Sequence, residues 1–138
     1  MTYMPTPCRR LQRGHTYEGK QGFSYFQGIA RETTGAQGIC MHMLRVPPGD
    51  RAKAHLHQNH ETAIYVIKGE TIMYWGKKLE NRMETIEGDL IYIPAGMPHL
   101  PLNVSDKETV AIVARTDPHE QESVVLRLDL ERYVPDAV

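Results

Sequence analysis

Strong charge of either sign is missing from this sequence. Its 16 Lys and Arg stand against 17 Asp and Glu, a formal net charge of −1 over 138 residues. A nucleic-acid binder carries a basic face, and none is implied. No run of about eighteen apolar residues occurs, so no transmembrane helix is expected. The opening stretch MTYMPTPCRRLQRGH has charges with no apolar segment behind them, which is not the pattern of a secretory signal. Only two cysteines occur, Cys8 and Cys40. They make no disulfide framework and match no zinc-finger spacing, so two reduced thiols in a cytoplasmic protein are expected. Helical periodicity is weak, and there is no internal repeat, low-complexity tract or interdomain linker.

What is present is alternation. Hydrophobic residues make up 41% and charged residues 24%, ordinary for a globular chain. The length suits one domain that buries about two thirds of its unfolded surface. Short β-rich runs are separated by turn signals: ICMHMLRVPPGD (39–50), TAIYVIKGETIMYW (62–75), LENRMETIEGD (79–89), LIYIPAGMPH (90–99), ETVAIVART (108–116) and SVVLRLDL (123–130). That spacing predicts an all-β sandwich or barrel. Gly69 is expected to turn a hairpin between two strands, and the tail after Leu130 is expected to fray. The domain is read as 1–138, with a core over about 22–130. Residues 1–21 are expected to form a polar arm that wraps the domain or touches a second chain.

Within 55–61 the chain reads HLHQNHE. On a strand, His55 and His57 point to the same side, a spacing at which two imidazoles can chelate one ion. Alone, such a pair more commonly sits on a solvent-facing turn. Further ligands are available in His60 and Glu61 nearby and in His99 at a distance. Zinc, iron, copper, nickel and manganese all accept imidazole nitrogen.

The flanking residues favour the metal. The segment GDRAKAHLHQNHETAIYVIKG (49–69) resembles the first motif of the cupin superfamily, and GDLIYIPAGMPHLPLN (88–103) resembles the second. Gly88, Pro94, Gly96, His99 and Asn103 meet every fixed position of the second, a coincidence on the order of one in a million per starting position. The resemblance implies a single-domain cupin jelly-roll, a β-barrel or sandwich, with one divalent transition metal per chain held by His55, His57 and His99. Zinc is the first expectation; iron, manganese, nickel or copper are compatible. The first motif departs from the pattern by one inserted residue. Spacing from His57 assigns the fourth ligand to Glu61. Spacing back from Gly69 lands on Thr62, which turns that residue inward and His60 with it. The latter register is favoured slightly, and cupin-fold polyketide cyclases include all-histidine zinc sites.

Tyr65, Met73, Trp75, Met41, Met43 and Ile64 are candidates to line a pocket for a largely apolar small molecule, or else simple core. His42, of opposite parity to Met41 and Met43, is left outside the site. The stretch RTDPHEQES (115–123) reads as a solvated turn or as a polar loop at the barrel mouth, and Arg51 and Lys53 read as surface charges. The resemblance is compatible with a small metal-dependent enzyme of the cyclase, isomerase or dioxygenase type, with a non-catalytic module that binds or senses a small ligand, or with a dimer whose metal is structural. A homodimer is expected, with no nucleic-acid or membrane partner. No catalytic residue is assigned.

Overall fold

The computed structural model describes residues 7–12, 16–18, 22–119 and 123–135. The strands are β1 (Thr16–Glu18), β2 (Ser24–Ile29), β3 (Cys40–Val46), β4 (His55–His57), β5 (Thr62–Lys68), β6 (Glu70–Trp75), β7 (Asn81–Ile86), β8 (Leu90–Ile93), β9 (His99–Leu102), β10 (Thr109–Arg115) and β11 (Val124–Leu126). One helical turn, α1 (Arg31–Thr34), follows β2, and a 3-10 helix (Leu128–Tyr133) follows β11. All pairings are antiparallel, in two sheets ordered β1-β2-β3-β10-β5-β8 and β11-β4-β9-β6-β7. This is an all-β jelly roll: alternation and turn spacing imply the all-β sandwich or barrel, and the cupin resemblance implies the jelly roll. Among the described residues no helix is long and apolar enough to cross a membrane.

Period-two alternation decides which side chains meet between the sheets. On β3, Cys40, His42, Leu44 and Val46 are buried, while Met41 is exposed. On β5, Thr62 and Val66 are buried, while Tyr65 and Ile67 face out. Phe23, Tyr25, Leu44, Val46, Ala52 and Val113 pack as one cluster. Leu100 and Leu102 anchor a second with Leu130 and Val134. Each such aliphatic side chain contributes about 1.5–3 kcal/mol by leaving water.

Three sequence expectations change here. Gly69 does not turn a hairpin, because β5 and β6 belong to different sheets. It is a corner at which the chain crosses the sandwich. Its φ of 86° is left-handed, and a Cβ there would lie 2.8 Å from Thr109 Cα. Thr109 fixes the corner, its Oγ1 accepting from Glu70 N–H (3.1 Å) and donating to Glu70 O (2.7 Å). Second, the tail after Leu130 does not fray at once: the 3-10 helix runs to Tyr133, and Leu130 and Val134 are buried. Third, only 124–126 of the 123–130 run is strand. Of the proposed arm, 16–18 pair with β2 as an edge strand and 7–12 are exposed; the rest of 1–21 lies outside the described residues.

Candidate metal centre

The second sheet brings the two histidine segments together. His55 and His57 alternate with Leu56 on β4, so both rings face inward. His99 opens β9 and is the register partner of His55. A backbone bond from Gly96 N–H to His57 O (2.9 Å) ties the turn of the second motif to the strand of the first. Asn103 has no ligand role. Its side-chain amide donates to Val46 O and Lys107 O and accepts from Ser105, holding the turn after β9 closed.

Ring centroids lie 4.2 Å apart for His55–His99, 5.2 Å for His55–His57 and 5.7 Å for His57–His99. All three residues are buried, and one ring nitrogen from each lies within 4.8 Å of the others. The outer nitrogens have partners that fix their protons. His55 Nδ1 donates to Lys53 O (2.7 Å), and His99 Nδ1 donates to Met97 O (2.9 Å). A carbonyl only accepts, so each Nδ1 carries the proton and each Nε2 keeps a lone pair. His57 Nδ1 lies 3.5 Å from Ser123 Oγ, and its buried Nε2 has no hydrogen-bond partner.

The electrostatics favour neutral imidazole. Burial, with His99 and Arg115 adding, holds His55 well below the usual histidine value. Burial first, then Arg115, does the same to His57. Burial pushes His99 down to about 4 against the opposing Met97 carbonyl, with Arg115 adding. Neutral imidazoles with inward lone pairs are what a metal ligand set requires. The residues therefore fit a single ion.

His60 and Glu61 stand apart from this group. Thr62 does face inward, as the spacing from Gly69 implies, but the turn at Gln58–Asn59 ends the alternation before His60 is reached. His60 Nδ1 donates to Thr116 O (3.3 Å). Glu61 lies outside and accepts from the Tyr92 hydroxyl (2.7 Å).

The pocket differs in part from the expected one. Ile64 and Met73 line an internal cavity of about 60 Å³ beside His55 and His99. Tyr65 and Met41 lie on the outer face, because their parity opposes that of Thr62 and His42. Met43 and Trp75 are half-buried and outside the cavity lining. His42 is buried on the inner face rather than excluded, and its Nδ1 accepts from Gly28 N–H (3.0 Å). Arg51 pairs with Glu131, Lys53 is exposed, and His119 meets Glu32 at 3.3 Å. Glu120 and Glu122 lie outside the described residues. Sequence reasoning missed Arg115, a charged residue in phase with Thr109, Ala111 and Val113. It is buried and lines the cavity.

Residues 42–115 match a protein family described as a cupin domain. No curated protein matches the sequence. Among solved structures, oxalate decarboxylase from Bacillus subtilis, in work on its Mn(II) centres, superposes with a TM-score of 0.68 at 22% identity; the match covers 83% of this chain and 30% of that one. A sugar phosphate isomerase of the cupin superfamily from Silicibacter pomeroyi gives 0.59 at 19%, covering 76% and 70%. A double-stranded β-helix protein from Klebsiella pneumoniae gives 0.61 at 15%, covering 85% and 88%. The chain thus spans less than a third of the oxalate decarboxylase, and these likenesses concern the fold.

Proposed function

The chain belongs to the cupin family, and from that premise we propose that it is a metal-dependent enzyme acting on a small organic molecule inside the barrel. The observation that carries this reading is the meeting of three buried imidazoles, two of which, His55 and His99, have their Nδ1 protons fixed by backbone carbonyls so that Nε2 keeps its lone pair. His55, His57 and His99 would hold one divalent transition ion. Zinc suits three imidazoles with an open position, and the Mn(II) centres named for oxalate decarboxylase make manganese the main alternative. Such an ion supplies Lewis acidity to a bound oxygen. The protein's own part is to exclude water with aliphatic walls and to orient the substrate. The reaction would be of the cyclase, isomerase or dioxygenase type.

One observation favours a second reading, a metal-stabilised module that binds a small ligand without turnover. No Asp or Glu is among the described residues lining the cavity, so none of those residues offers a carboxylate general base. Incubation of protein of measured metal content with a panel of small organic compounds, followed by NMR, separates the two. Conversion that stops on chelation supports the enzyme. Saturable binding with no conversion selects the module.

We also propose that the protein is a cytoplasmic homodimer. Met41, Tyr65, Ile67, Leu90 and Tyr92 put exposed apolar surface on the outer face of the larger sheet, more than scattered surface residues require.

A further inference from the structure

We propose that the cavity is a binding site for a small carboxylate, and that Arg115 is the residue that recognises its charge, with the acid group seated between the Arg115 guanidinium and the three histidines. The proposal deepens the metal-site reading and rests on it for the histidine side alone.

Arg115 is 6% exposed, and its Nε and Nη1 are buried without a hydrogen-bond partner. Buried guanidinium groups are ordinarily paired, because removal from water must be offset by a counter-charge and hydrogen bonds. Its described surroundings supply little of either. The thiol of Cys40, its register partner on β3, is a weak hydrogen-bond partner of the Arg115 side chain, and the buried Asp117 carboxylate accepts from His119 N–H at 3.0 Å. Thr62, opposite it on β5, also has a buried Oγ1 without a partner. Three donor atoms without a partner thus share the cavity wall with His55 and His99, among mostly apolar residues.

Charge points the same way. Arg115 brings one positive charge, and a divalent ion would bring two more. Among the described residues no carboxylate lines the cavity to balance them, and Glu61 is outside. An anionic ligand supplies the missing charge.

Size and donor count narrow its class. About 60 Å³ holds roughly four to six water-sized groups. The other cavity threonines are already engaged, Thr71 with Thr85 (2.6 Å) and Thr109 with Glu70. Two carboxylate oxygens match the few donors left. A phosphate, with four oxygens to satisfy, does not.

The test is calorimetric titration of acetate, propanoate, oxalate and inorganic phosphate into protein of measured metal content. Wild type, Arg115→Gln, Arg115→Lys and Thr62→Val are compared. A carboxylate is expected to bind saturably and better than phosphate, with Arg115→Gln weakening it roughly ten- to a hundredfold at unchanged metal content and Arg115→Lys restoring part of the loss. Unchanged affinity in Arg115→Gln, no carboxylate binding by the wild type, or tighter binding of phosphate overturns the proposal. Should Arg115→Gln fail to fold, wild type against Thr62→Val decides: a weaker carboxylate in Thr62→Val supports the site, and equal affinity overturns it. Wild type that takes up no metal sinks the metal reading by itself. The Arg115 comparison is then made on metal-free protein, with the same outcomes counting for and against.

Discussion

Thr62 and Arg115 stand opposite one another as register partners on β5 and β10, both buried and both facing the histidine group. Thr62 falls where the resemblance to a cupin first motif, counted back from Gly69, would lead one to expect a carboxylate. With six residues between it and Gly69, Thr62 puts a hydroxyl at that position, and the acid beside it, Glu61, is turned outward to Tyr92. The inserted residue is absorbed in the turn at Asn59, whose φ of 64° is left-handed. The cavity therefore ends in a positive charge.

His60→Ala and Glu61→Ala are each expected to keep metal within about twofold of wild type, because each binds other groups at the surface. Metal content by elemental analysis checks this. A large loss in either variant would mean that the turn at 58–61 closes onto the site.

Gly69→Ala is expected to cost about 1–3 kcal/mol, since the added Cβ meets Thr109 backbone in a left-handed conformation. A lowered urea midpoint at unchanged slope is the signature. A hairpin at Gly69 would tolerate alanine better, because nothing would pass so close.

Stability should fall with acid over a defined window. Burial, with Arg115 adding against Glu32, pushes His42 down to about 4. The unfolded chain, near the ordinary value of about 6.5, binds the proton first. The contribution is thus fully present above about pH 6.5 and is lost as pH falls towards 4. In His42→Gln the slope of unfolding free energy against pH over this range should drop by up to one bound proton. An identical slope would show that His42 titrates normally in the folded state.

The apolar outer face gives a prediction on assembly. Light scattering should report twice the chain mass for wild type, and Leu90→Glu with Tyr92→Glu should shift it toward one chain, because buried like charges oppose association. A wild-type monomer at working concentration removes the dimer.

Much of this was legible in the sequence. The fold class followed from alternation and turns, and the three histidines followed from motif spacing, because a strand-and-turn pattern fixes which side chains share a face. Sheet membership was not legible at Gly69. A glycine signals a left-handed turn but not whether the next strand pairs with the last one or crosses to the facing sheet. Parity, followed strictly, puts Tyr65 and Met41 outside and His42 inside; apolar character alone misassigned them. Arg115 was readable in phase with Ala111 and Val113, yet its buried charge acquires meaning only beside residues from other strands. Burial of Leu130 and Val134 depends on contacts with Leu100 and Leu102 across the smaller sheet, which no local pattern encodes.

The most direct test is a titration of metal-stripped protein with zinc and with manganese, wild type beside His99→Ala, read by calorimetry with circular dichroism as the check on folding. One ion per chain in wild type, with affinity lost by roughly tenfold or more in a folded His99→Ala, is the expected result. Equal uptake by both proteins, or none by a folded wild type, would contradict the claim that imidazoles from β4 and β9 share one ion.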